Sequence, residues 1–139
     1  MARKNQYIWV KNTPKKSKPK VPETEKQIIT QQFNQLIEIE FKPKYIKENP
    51  PDNNFNYLVD IFSKWYRNYI YICGIYNCPD ENAISPTFET KFTRLEYAQK
   101  DNFNLSYFRH TGKWWEVYQQ LTLAEALKEI KNNLIFHPY

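Results

Sequence analysis

Apolar residues recur every three to four positions between Glu23 and Phe41, at Ile29, Phe33, Leu36 and Ile37, with Ile28 beside them. That spacing predicts an amphipathic helix. Pro22 suits its start, and Thr24 with Gln27 has the spacing of a capping box. Pro43 is expected to end it, before a polar connection from Lys44 to Asn54. The period then falls to two. Tyr57 to Tyr66 and Tyr69 to Tyr76 flank Arg67-Asn68 and read as a hairpin, followed by a loop from Asn77 to Pro86. Thr87 to Ala98, Phe103 to His110 and Lys113 to Gln119 read as a meander joined by turns at Asp101-Asn102 and Thr111-Gly112. Thr122 to Asn132 is a second helix, with Thr122 and Glu125 as a capping box and Leu123, Ala126, Leu127 and Ile130 as its apolar stripe. The apolar tail from Leu134 to Tyr139 is expected to pack back on the body.

Helix, about five strands, helix is an α+β order. It predicts an antiparallel sheet with an N-terminal and a C-terminal helix packed on one face. The other face is then open to solvent or to a partner. With two-residue turns, Phe108 pairs with Trp115, Arg109 with Trp114, and Leu95 with Phe108. One face would collect Leu95, Tyr97, Phe108, Trp115 and Val117 as core. The other would collect Phe92, Arg94, Glu96, Leu105, Tyr107, Arg109, Trp114, Glu116 and Tyr118. Rings beside guanidinium groups on a sheet suit stacked single-stranded bases and phosphates. The same residues also suit a purely structural arrangement, in which Arg94 and Arg109 pair with Glu96 and Glu116 and the rings lie under another segment. A slip of one residue would exchange the two faces.

Charge divides the chain in two. Residues 1–20 hold Arg3, Lys4, Lys11, Lys15, Lys16, Lys18 and Lys20, seven cations with no acid. The whole chain has 20 Lys+Arg against 15 Asp+Glu, so removing those seven leaves 13 against 15, a net −2 from Val21 onward. Residues 1–22 therefore read as a basic, Pro/Lys-rich arm, and residues 23–139 as one α+β domain. The arm contains one strand-like run, Gln6 to Val10, and otherwise too few apolar groups to offset the entropy of ordering. Its charge points to nucleic acid or a nucleoprotein surface, with solubility as the plain alternative. The arm could also order only on a protein partner.

Composition narrows the chemistry. With Gly74 and Gly112 as the two glycines, no phosphate-binding glycine loop can be built. The longest apolar run, Tyr69 to Tyr76, is too short for a bilayer span, and no secretory or acylation signal is visible. No membrane partner is expected, and the expected location is cytoplasmic. Cys73 and Cys78 read as a buried small side chain and a turn residue. A metal site joining them to His110 and His137 is the lesser reading, so no cofactor is expected. Asp60 followed by Glu89-x-Lys91 has the order of a Mg²⁺-dependent nuclease, in which carboxylates hold the ion and the lysine orients water. Glu-x-Lys is common by chance, and the expectation is a non-enzymatic protein.

From about Lys26 to Tyr139 the chain resembles a small bacterial family classed as a domain of unknown function. The resemblance rests on the helix ending Phe41-Lys42-Pro43, the strand Phe92 to Tyr97, Tyr107 to His110, and Lys113 to Tyr118. It implies a small α+β protein and carries over no activity or catalytic residue. The combined expectation is a soluble accessory protein that binds nucleic acid or a nucleoprotein complex. The arm, Arg94, Tyr107, Arg109, Trp114 and Tyr118 would form the contact. The alternatives are a protein–protein adaptor using the aromatic face, and the nuclease.

Overall fold

The computed structural model describes residues 20–48, 55–109 and 111–138. Helix α1 (Glu23–Leu36) passes into a wide π turn (Ile37–Phe41) and then a short helix α2 (Lys42–Tyr45). Five strands follow, β1 (Tyr57–Tyr66), β2 (Tyr69–Asn77), β3 (Thr87–Gln99), β4 (Asn102–Phe108) and β5 (Trp114–Leu121). Helix α3 (Leu123–Asn132) and a single 3₁₀ turn (Leu134–Phe136) close the chain. The sheet is wholly antiparallel in the order β1-β2-β3-β4-β5, so the α+β expectation holds. Both long helices pack on one face, and Ile29, Phe33, Ile37, Phe41, Ile70, Ile72, Leu95, Leu105 and Ile130 form one continuous core there. Val21, counted with the arm by its sequence, belongs to that core. No described helix is long and apolar enough to cross a membrane.

Two features of the first helix differ from expectation. Thr24 makes no cap, because Pro22 occupies the N-cap position and no side chain caps that end. Pro43 lies inside a continuing helix instead of ending it. The buried residues Ile29, Phe33, Ile37 and Phe41 are spaced by four, and each such step overshoots an α turn by about 40°. The π turn, marked by the Lys42 N–H donating to the Ile37 carbonyl, widens the helix where that drift accumulates and keeps Phe41 on the core. It also accommodates Pro43, which has no N–H to give to an α turn.

At the C-terminal end, α3 has its full capping box between Thr122 and Glu125. The tail packs back as expected: Phe136 is fully buried and its carbonyl accepts from Thr93 Oγ1 at 2.7 Å.

Candidate functional site

The sheet face away from the helices carries a row of rings and cations. Tyr69 and Tyr71 of β2, Arg94 of β3, Phe108 of β4 and Trp114 of β5 converge there. The Arg94 guanidinium lies 4.7 Å from the Tyr69 ring centre and 4.8 Å from that of Trp114. Tyr71 and Trp114 are 5.6 Å apart, Phe108 meets Trp114 edge-on at 5.1 Å, and Lys91 lies 5.9 Å over Tyr71. Arg94 thus lies against two rings, whose negative faces attract the cation. Its Nε is buried without a hydrogen-bond partner. Beyond Lys91, Glu89 accepts from Lys64 at 2.6 Å and lies 3.5 Å from Lys91. The Lys64 hydrogen bond holds the Glu89 carboxyl below the usual carboxylate range and the Lys64 ammonium above its own. Cys73 is buried next to this cluster as a free thiol, and burial pushes its pKa up to about 11, which makes it an inert packing residue.

The expected face was half right, and the error lies in two turns. Arg109 N–H bonds the Lys113 carbonyl, so the β4–β5 loop has one residue more than Thr111-Gly112, and Gly112 takes φ 85° to close it. One added residue exchanges the faces of one strand relative to the other. Phe108 therefore pairs with Trp114 and Tyr107 with Trp115. The β3–β4 turn is Lys100-Asp101, with Asp101 at φ 51°, and Leu95 pairs with Leu105 instead of Phe108. Arg94, Glu96, Trp114 and Glu116 keep the expected face. Phe92 and Leu105 are buried in the core, and Tyr107 and Tyr118 pack against Phe136 beneath the helices. Tyr118 also bonds Glu129, which raises its pKa. Phe108 leaves the core for the open face, and Trp115 is 54% exposed on the helix side with Arg109 stacked 4.9 Å over its ring. The acids expected to pair with the arginines bond amides, with Glu96 accepting from Asn68 and Asn104 and Glu116 from Gln119. Sequence reasoning missed Tyr69, Tyr71 and Lys91 as parts of this face; the alternation of Tyr69 with Tyr71 in a hairpin strand was the available signal.

Of the remaining candidates, Asp60 and Glu89 both pair in register with Ile75 of β2 but bond different cations. Asp60 accepts from the Ile61 N–H and lies 3.5 Å from Lys42, whereas Glu89 is engaged by Lys64 and Lys91. Among the described residues no group of three His, Cys, Asp or Glu is placed to hold a metal ion. His137 is a packing residue. Tyr45 Oη donates to its Nδ1 at 2.6 Å, and its Nε2 donates to the carbonyls of Ile130 (2.9 Å) and Lys131 (3.0 Å), closing the last turn of α3. Lys20 is exposed. Arg3, Lys4, Lys11, Lys15, Lys16, Lys18 and His110 lie outside the described residues.

A family model described as a domain of unknown function, DUF3024, matches residues 21–138. The chain belongs to that family. The match takes in every residue of the open face and stops short of the basic segment, so Arg94, Trp114 and their ring neighbours are parts of the DUF3024 domain and the cationic residues 1–20 precede it. No curated protein and no solved structure matches the chain.

Proposed function

We propose that this DUF3024 protein is a cytoplasmic accessory protein that binds single-stranded nucleic acid, alone or within a nucleoprotein complex. The observation that carries this reading is Arg94, a guanidinium held against the rings of Tyr69 and Trp114 on the face that no described helix covers. Rings on a sheet suit stacking with unpaired bases, and a fixed guanidinium suits the phosphate between them. The seven cations of residues 1–20 supply attraction independent of base sequence. The body from Val21 onward is net negative and would contribute little long-range attraction by itself.

The test is binding of labelled single- and double-stranded DNA and RNA by the full chain and by a variant with all seven of those cations changed to Gln. If the basic segment neutralises about four phosphates, single-strand affinity falls about fifty-fold between about 50 and about 200 mM salt. The Gln variant should bind weakly and with little salt dependence. Equal affinity of both proteins would remove the proposed role of the basic segment. Binding that ignores Trp114→Ala would remove the role of the face.

A further inference from the structure

A second candidate site lies on the opposite side of the sheet, where the C-terminal 3₁₀ turn leaves an apolar groove of about 450 Å³. Its lining includes Tyr45, Tyr107, Arg109, Leu134, Ile135 and His137. Leu134 is 68% and Ile135 41% exposed, and Trp115, under the Arg109 guanidinium, extends the same surface. Large apolar side chains gathered in a concave surface of this size are the usual setting of a small-ligand site.

The charges select the ligand. Among the described residues Arg109 is the lining residue that carries a full charge, because burial, with the Lys44 cation nearby, holds His137 below its ordinary pKa. Lys44 rests 5.3 Å over the ring of Tyr45, a lining residue. Among the described residues no acid lines the groove. Among the described residues neither Arg109 nor Lys44 forms an ion pair with a carboxylate. An apolar cleft with a positive rim and an uncommitted guanidinium is complementary to an anion with an apolar body. We infer that this groove binds small monocarboxylates with an aromatic or branched apolar body, the carboxylate pairing with Arg109 and the body lying against Leu134, Ile135 and Tyr107. This inference does not rest on the nucleic-acid reading, although Phe108, whose ring meets Trp114 on the open face, also lines the groove.

The test is an NMR titration of the full chain with phenylbutyrate and with its uncharged amide, phenylbutyramide, following the indole N–H signals of Trp114 and Trp115. The carboxylate should move the Trp115 signal saturably, and by more than that of Trp114, which the groove reaches only through Phe108. The amide should bind about tenfold more weakly, as should phenylbutyrate to Arg109→Gln, a loss on the scale of one charge-assisted contact. Leu134→Ser, an exposed change that spares the core, should weaken both probes. Equal affinity for acid and amide, no saturable shift, or a shift centred on Trp114 would each overturn the assignment. The two probes are compared on the unaltered protein, so the conclusion does not depend on any variant folding.

Discussion

Asn68 and Tyr97 are bonded in both directions across the sheet. The Tyr97 N–H donates to the Asn68 carbonyl at 2.8 Å, and Asn68 Nδ2 donates to the Tyr97 carbonyl at 3.1 Å. Asn68 belongs to the two-residue turn between β1 and β2, so these bonds tie that turn to β3. The same β3 positions the open face, since Arg94 lies three residues before Tyr97. Turn, register and site are therefore linked through one buried amide.

Changing Asn68 to Ala removes a donor from a side chain that is only 6% exposed and leaves the Tyr97 carbonyl without it. The expected cost is about 1–3 kcal/mol, measured by urea unfolding. Asn68→Asp should cost more, because the new carboxylate would face Glu96, which now accepts from the Asn68 amide at 3.4 Å. An Asp variant as stable as the native chain would show that the amide is not donating.

Where the chain carried a local signal, the sequence was readable. Tyr66 and Tyr69 are paired around Arg67-Asn68 as the hairpin pattern predicts, and Thr122 with Glu125 caps α3. The candidate face depended instead on loop lengths. Thr111-Gly112 reads naturally as a two-residue turn, but the Arg109–Lys113 bond encloses a longer one, and no local propensity distinguishes the two. Bulges compound the difficulty: at the Ile72/Cys73 shift in pairing, adjacent Phe92 and Thr93 are both buried on the core side, which strict alternation forbids. The π turn before Pro43 was hidden for a similar reason, because proline signals a helix end and only the core contact of Phe41 overrides it.

Packing favours glycine at position 74. A Cβ there would meet Leu58 Cδ1 at 2.9 Å, closer than two carbons tolerate. Gly74→Ala should therefore destabilise by about 1 kcal/mol, since the obstacle is the movable end of a side chain. Leu58→Ala also costs stability, but the two changes should be strongly non-additive, with Gly74→Ala neutral or stabilising in the Leu58→Ala background. A double-mutant cycle by thermal unfolding reads this directly, and additive costs would show that Leu58 is not the obstacle.

His137 makes stability depend on pH. Burial is the main cause holding its folded pKa below the ordinary value of 6.5. Above that value the ring is neutral in both states and its hydrogen bonds are fully retained. As pH falls below it, the unfolded chain takes up a proton that the folded chain resists, so stability declines down to the lower folded pKa. Urea unfolding at about pH 7.5 and about pH 5.5 should show a loss in the native chain. His137→Asn should be less stable at both, with a smaller difference between them. An unchanged difference would mean that other groups set the pH dependence.

Trp114 has two roles that a pair of substitutions separates. It forms one wall of the Arg94 site and meets Tyr71 and Phe108 on the same face. Trp114→Ala removes that wall beside a guanidinium whose Nε is already unpartnered, and should cost about 2 kcal/mol of stability. Trp114→Phe keeps a ring and should recover much of that loss. If the face stacks bases, the Ala variant should also lose single-strand affinity by about 1–3 kcal/mol, compared at a temperature where both variants remain folded. Duplex affinity, which stacking on this face would not support, should change little. A stability loss with single-strand binding intact would make Trp114 a support for Arg94 alone and would move the search for the contact surface elsewhere on the molecule.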